Sequence, residues 1–248
     1  MDPRVAEMEA RGIRRLAHRG AYEAKTFAAR SPLAAIPLAR LRGHGALLAP
    51  DTELLIEGFP RSANSFAVAA FVMAQGRDVK VAHHTHAPGH VLSAVRARCP
   101  SLILIREPDE SALEVVVARP TRTVRQALRG WVRFYRPLVP ASASVVIGAF
   151  PDVTSSFGSV IRRVNLRFGT TFAEFAHTDE MVQVCFQAMD AYWRDRVGSS
   201  EVLERLVGRP SALREELKDS LRPRLDDPRL AGLRAEANAL YRRFASPA

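Results

Sequence analysis

The sequence predicts an α/β protein in which a parallel sheet is covered by helices on both faces, with helical extensions at either end. Three observations predict it. Four short β-rich runs alternate with segments of helical periodicity, the rhythm of a chain that passes between parallel strands through crossover helices. Polar, chemistry-bearing residues follow three of those runs directly, and open parallel sheets bind ligands at the carboxyl ends of their strands. Hydrophobic residues make up 47% of the 248 positions, enough for a substantial core in one domain.

The elements follow in chain order. Residues 2–30 are rich in Ala, Glu and Arg and read as one or two helices. The stretch SPLAAIPLARLRG (31–43) carries two prolines and reads as a connector. The strand runs are ELLIEGF (53–59), VKVAHH (79–84), SLILIR (101–106) and SVVIGAF (144–150). Between them, Val91, Leu92, Val95 and Cys99 share one helical face, as do Leu113, Val116 and Val117. Trp131, Phe134 and Tyr135 read as core on a helix. Asp152, just after the fourth run, reads as a turn residue. The last hundred residues read as mostly helical. DEMVQVCFQAMDAYWRDRV, SALREELKDSL and RLAGLRAEANALYRRF have helical spacing, punctuated by Pro210, Pro223 and Pro228.

Composition narrows the function classes. The formal charge is +10, with 36 basic residues against 26 acidic, and the only lysines are Lys25, Lys80 and Lys218. An arginine excess suits anionic partners, or reflects an Ala- and Arg-rich coding bias. No run of five basic residues occurs and aromatics are only 7%, which argues against a nucleic-acid module. Up to Pro50 there are nine Lys or Arg against four Asp or Glu. Such a basic N-terminus suits contact with a membrane surface. The scarcity of large apolar residues there favours a helix packed on the domain edge. Cys99 and Cys185 have no CxxC spacing and form no disulfide framework, which suits a reducing cytoplasm. The charged N-terminus does not read as a secretory signal. No apolar stretch reaches the ~18 residues that a membrane span needs.

The segment IEGFPRSANSF (56–66) joins a strand to a helix N-terminus, where phosphate groups bind. Laid on GxxxxGK[ST] from Gly58, it puts Ala63 at the second glycine, Asn64 at the lysine and Ser65 at the hydroxyl. A cation appears instead at Arg61. Backbone N–H groups, with Ser62, Asn64 and Ser65 as side-chain donors, would cradle one anionic group rather than a triphosphate. The competing reading is an N-capped helix after a proline turn.

Phe59-Pro60-Arg61-Ser62-Ala63-Asn64-Ser65-Phe66 resembles the 5′-phosphosulfate loop of sulfotransferases, Tyr-Pro-Lys-Ser-Gly-Thr-Thr-Trp. Arg61 stands for the lysine and Phe66 for the tryptophan. HHTHAP (83–88) is similar to the family's Lys-Thr-His-Leu-Pro, which implies His86 as general base and puts His84 at the lysine position. LILIREPDESALEVV (102–116) resembles the strand ending in Arg-Asn-Pro-Lys-Asp, which implies Arg106 as a 3′-phosphate ligand. The match runs over residues 53–120. It implies one sulfotransferase-like domain of P-loop-like architecture over 1–248. Residues 1–50 would be a helical extension, 51–150 the nucleotide-binding core and 151–248 a mostly helical part. It implies 3′-phosphoadenosine-5′-phosphosulfate (PAPS) as co-substrate, no metal, and a hydroxyl on a small molecule, glycan or lipid as acceptor.

Two departures stand out. The family's second 3′-phosphate ligand, a serine, is Glu114 here. Ser111, one turn earlier, is the candidate substitute, and Glu114 either faces the phosphate or turns away to pair with Arg119 or another arginine. No Arg-Lys-Gly clamp appears near the C-terminus. Arg106 is an anion ligand or a partner of Glu107 or Asp109. His83, His84, His86 and His90 cluster, but no nearby carboxylate or Cys completes a metal set. On a continuing strand His84 and His86 would share a face, with His83 opposite. The rivals to sulfuryl transfer are an unusual P-loop phosphotransferase and a non-catalytic nucleotide-binding or scaffold protein.

Overall fold

The computed structural model describes residues 17–43 and 45–245, so the helical reading of residues 2–16 lies outside them. A helical segment at 17–28 (α1) is followed by α2 (Pro32–Arg42). Then come β1 (Leu54–Gly58), α3 (Asn64–Gln75), β2 (Val81–His83), α4 (Pro88–Arg96), β3 (Ser101–Ile105), α5 (Pro108–Ala118) and α6 (Val124–Tyr135). A 3-10 stretch leads to β4 (Val146–Ala149). The rest is α7 (Phe150–Ser155), α8 (Phe157–Phe168), α9 (Asp179–Arg194), α10 (Ser200–Leu206), α11 (Ala212–Leu221) and α12 (Ala231–Ala245).

The four strands form one parallel sheet in the order β2-β1-β3-β4, paired Leu54 to Val81, Leu55 to Ser101 and Leu102 to Val146. Every residue of β1 and β3 is buried, as the near-continuous apolar runs require of central strands covered on both sides. Alternation sorts their side chains into two cores. Leu55, Ile103 and Ile105 face a core built by α4, α5, α6 and α12, with Trp131, Phe134 and Tyr135 at its centre. Leu54, Ile56, Leu102 and Leu104 face a second core with Phe66 and Phe71 of α3, Val160 and Ile161 of α8, and Cys185 of α9. Backbones are tight at the strand ends: a Cβ on Gly58 would sit 2.6 Å from the Leu104 carbonyl oxygen.

This layering places the ligand crevice. The helix after β1 lies on one face of the sheet and the helix after β3 on the other. The chain therefore diverges between these neighbouring strands, and their following loops border an opening at the carboxyl edge. Helix α6 holds that edge. Its N-terminus carries a Thr123–Gln126 capping box. Near its C-terminus, Tyr135 donates to the Leu104 carbonyl at 2.7 Å and accepts from the Phe59 N–H at 3.3 Å. Trp131 donates to the Arg106 carbonyl at 3.1 Å.

The 31–43 stretch is a helix, not a connector. Pro32 opens it, a position where the missing N–H costs nothing. Pro37 lies inside it, and packing of Ala35 against Ala29 and Ala87 outweighs the one lost backbone bond. Asp152 sits in α7, paired with Arg163, rather than in a turn. No helix among the described residues is long and apolar enough to cross a membrane.

Candidate functional site

Two loops and a cation cluster meet at the carboxyl edge. The first loop joins β1 to α3. Arg61 and Ala63 both have left-handed backbones, φ 74° and 65°, in conformations that cost an L-residue about 1–2 kcal/mol. The Asn64 side chain closes the loop by donating to the Phe59 carbonyl at 3.0 Å. No side chain caps α3, and the first-turn N–H groups of Asn64, Ser65 and Phe66 have no partner among the described residues. Unpaired N–H groups at the positive end of a helix form an anion site. Arg61, Ala63, Asn64, Ser65 and Phe66 line a cleft of about 1530 Å³. Ser62 is fully buried and does not line it. Phe66 anchors the helix start among Phe157, Phe175 and Phe186.

The second loop follows β2, which ends at His83. His84 and His86 are left-handed, φ 60° and 51°, so the strand geometry that would separate His83 from His84 does not extend this far. Instead Nδ1 of His84 lies 2.7 Å from Nδ1 of His83, and Nε2 of His84 lies 3.0 Å from the Ser65 hydroxyl. Burial, then the His86 and His83 rings, push His84 down to about 3, so it is neutral near pH 7. His86 donates from Nδ1 to the Gly58 carbonyl at 2.8 Å. A carbonyl only accepts, so Nδ1 carries the hydrogen and Nε2 keeps its lone pair. Burial lowers the His86 pKa, against the opposing effects of Glu57 and of that hydrogen bond. The ring is a neutral base on the cleft wall.

Glu57, the penultimate residue of β1 and fully buried, holds this loop in place. Its carboxylate accepts from the Thr85 N–H and hydroxyl, both at 2.7 Å, and from the His86 N–H at 3.1 Å. His90 completes the set. The Leu48 N–H donates to its Nε2 at 2.9 Å, so the hydrogen sits on Nδ1, 3.4 Å from Glu57. Burial alone would raise the Glu57 carboxyl. The hydrogen bonds from His90 and Thr85, with the adjoining His86 and His90 rings, outweigh it and hold the group at about 2.

The cation cluster centres on Glu114 of α5, which is 2% exposed. Its carboxylate accepts from Arg61 at 3.0 Å and lies 3.4 Å from Arg214, 3.7 Å from Arg106 and 3.8 Å from Lys218. It does not stand bare: of the two alternatives the structure takes the arginine-paired one, with Arg61, Arg106 and Arg214 as the partners rather than Arg119. These cations hold its pKa below the usual carboxylate range despite burial. Arg61 also donates to the Leu206 carbonyl at 2.7 Å. The loop arginine is thus fixed at the cleft wall, with two of its five N–H groups unspent. Arg106 partners neither Glu107 nor Asp109. It lies over the Phe150 ring at 4.1 Å, donates to the Arg61 carbonyl at 3.3 Å and faces Glu110 and Glu114. Ser111 is buried and reaches only the Arg106 carbonyl, at 3.5 Å, so it does not line the cleft.

Sequence reasoning missed Glu57, Thr85, Arg214 and Lys218. The signal for Glu57 was present: an acid between apolar residues in a strand that reads as buried on both faces. Arg214 and Lys218 lie in a helix whose spacing gives no hint of the site. Among the described residues, no three His, Cys, Asp or Glu side chains converge as a metal set.

One stretch of the cleft wall is apolar, with Val68, Val72 and Met73 of α3 and Val182, Phe186 and Trp193 of α9, while Arg119, Arg122, Arg133 and Arg209 line other parts of it. The sequence matches no protein-family model and no curated protein. Among solved structures, the fold is similar to the crystal structure of mouse sulfotransferase SULT7A1 complexed with PAP. That similarity has a TM-score of 0.42 at 9% identity and covers 77% of this chain and 90% of that one.

Proposed function

We propose that the chain transfers a sulfuryl group from a nucleotide 5′-phosphosulfate donor, with PAPS as the reference case, to a hydroxyl acceptor. The observation that carries this reading is the junction at Gly58. The residue that opens the anion loop accepts, through its carbonyl, the hydrogen of His86. One backbone unit thereby fixes the distance between a free base nitrogen and a set of unpaired helix N–H groups.

The acceptor hydroxyl gives its proton to His86 Nε2 as its oxygen bonds to sulfur. The bond from sulfur to the bridging phosphate oxygen breaks, and the nucleotide 5′-phosphate leaves with the electron pair. The α3 N–H groups and the two unspent Arg61 donors stabilise the charge that develops there. The apolar wall between α3 and α9 suits an acceptor whose hydroxyl sits on an apolar body. Asn64, spent on closing its own loop, offers no lysine-like cation to a triphosphate, which disfavours the phosphotransferase reading.

The test is calorimetry with 3′-phosphoadenosine-5′-phosphate, PAPS and ATP side by side, followed by labelled-sulfuryl transfer to a panel of hydroxyl acceptors. Tight binding of the first two and transfer without added divalent ions support the reading. Magnesium-dependent ATP turnover, or no nucleotide binding, rejects it.

A further inference from the structure

We propose that the outer face of the α1–α2 pair docks on an anionic membrane surface. Three of the four most exposed large apolar side chains of the described chain fall within this pair: Phe27 at 62%, Leu33 at 88% and Leu41 at 85%. They continue two rows. On α1 the exposed residues Ala17, Ala21, Ala24 and Phe27 form an uncharged ridge at helical spacing. On α2 Leu33, Pro37 and Leu41 lie four apart and are all exposed. The opposite sides of the same helices are already used: Tyr22, Ala29 and Ala35 are buried, and Leu38 and Ala39 line the cleft. The exposed rows are therefore additional to the packing face that a short amphipathic helix needs.

The charge around these rows selects the occupant. Exposed Arg30 and Arg40 flank them, and the Arg30 guanidinium lies over the Phe27 ring at 5.1 Å. The single acid of residues 17–43 is Glu23, which is held by Arg129 and Arg133 of α6. An apolar face rimmed by arginines, with no carboxylate of its own, matches the headgroup boundary of a bilayer containing anionic lipid. A second copy of the chain fits poorly. A two-fold contact would set arginine rims against each other, between chains that each carry a formal +10. Docking here does not depend on the reaction proposed above. It would set one wall of the cleft against the lipid surface.

The test is co-sedimentation of the full chain with phosphatidylcholine vesicles, with and without phosphatidylglycerol. Binding is expected only with the anionic lipid and weakens as salt screens the arginines. Leu33→Glu with Leu41→Glu, and separately Arg30→Ser with Arg40→Ser, each reduce the affinity roughly tenfold or more. All four positions are exposed or flank the exposed rows, so circular dichroism and nucleotide binding stay as in the parent. Phe27→Trp serves as a second readout, its emission shifting to the blue on anionic vesicles. No sedimentation with anionic vesicles overturns the proposal, as does binding that both double variants leave unchanged. Concentration-dependent dimers that Leu33→Glu with Leu41→Glu abolishes, without vesicle binding, would assign the face to a second copy instead.

Discussion

Replacing Glu114 by Gln keeps the shape of the side chain and removes the charge that four cations share. At an effective dielectric near 20, one unit-charge pair at 3.4 Å is worth about 5 kcal/mol before desolvation and mutual cation repulsion are subtracted. The net loss is smaller and depends on what each cation keeps. Lys218 retains Glu110 at 3.0 Å and Glu215 at 2.8 Å. Arg61 and Arg106 are partly exposed and regain water. Arg214 is 5% exposed, has no hydrogen-bond partner at Nε and forms no other ion pair among the described residues. One stranded buried cation costs about 3–5 kcal/mol, and the lower end is expected here because an amide oxygen remains. For a domain of this size, about 3 kcal/mol lowers Tm by roughly 6–12 °C.

Chemical denaturation of parent and variant across pH tests the whole argument. The folded-state pKa of Glu114 lies below its unfolded value. Its contribution is therefore complete above the unfolded value of about 4.3 and fades as pH falls through the folded pKa. The two proteins should differ most near neutrality and converge in acid. Sulfate or phosphate should stabilise the variant more than the parent, because an anion then replaces the missing charge. A difference below about 1 kcal/mol at pH 7, or one that grows in acid, would refute the account of Glu114 as the counter-charge of this cluster.

Three further changes probe the two loops. Arg61→Ala should weaken binding of any 5′-phosphate nucleotide by about 1.5–3 kcal/mol, read by calorimetry; unaltered affinity means that Arg61 serves Glu114 and Leu206 alone. His86→Ala should slow transfer roughly 10²–10⁴-fold with nucleotide affinity retained, and loss of transfer in His84→Ala but not in His86→Ala would move the base to the other histidine. Because burial lowers the His86 pKa, the parent rate should hold through the ordinary imidazole range near 6.5 and fall only below it; an acid limb above 6.5 contradicts this. Glu57→Gln should destabilise the fold near pH 7, since the donors of Thr85, His86 and His90 favour the charged carboxylate and hold its pKa below the ordinary range despite burial. The difference should shrink as pH falls below the unfolded value of about 4.3, and a pH-independent difference rejects an ionised Glu57.

The layout of the sheet was legible because strands announce themselves locally. Apolar runs such as SLILIR mark the strands, and the helical segments between them make the sheet parallel, whereas the order β2-β1-β3-β4 comes from the structure alone. The site was legible only in part, for a reason that Arg61 and His86 share. Four of the five left-handed non-glycine residues among those described are Arg61, Ala63, His84 and His86, and sequence patterns assume ordinary backbone for such residues. Their side chains point where the strain aims them. His84 turns to His83 rather than away from it, and Arg61 is tethered to Glu114 as well as facing the cleft.

Strain of this kind persists only when the surroundings hold it, and in each loop the holder is a buried carboxylate. Glu57 binds the Thr85 and His86 N–H groups between and beside the two strained histidines. Glu114 binds the guanidinium of strained Arg61 and draws Arg106, Arg214 and Lys218 around it. Neither acid needs to touch a reacting atom. Each sets where a reactive group stands, and each acts through partners distant in the chain: His90 lies 33 residues beyond Glu57, and Lys218 lies 104 residues beyond Glu114. A motif comparison sees Glu114 as an acid misplaced against a phosphate. The fold makes it the counter-charge that lets four buried or half-buried cations share one small volume. An anionic ligand that approaches the α3 N-terminus meets a positive wall whose geometry is already fixed, so little reorganisation is left for binding to cover.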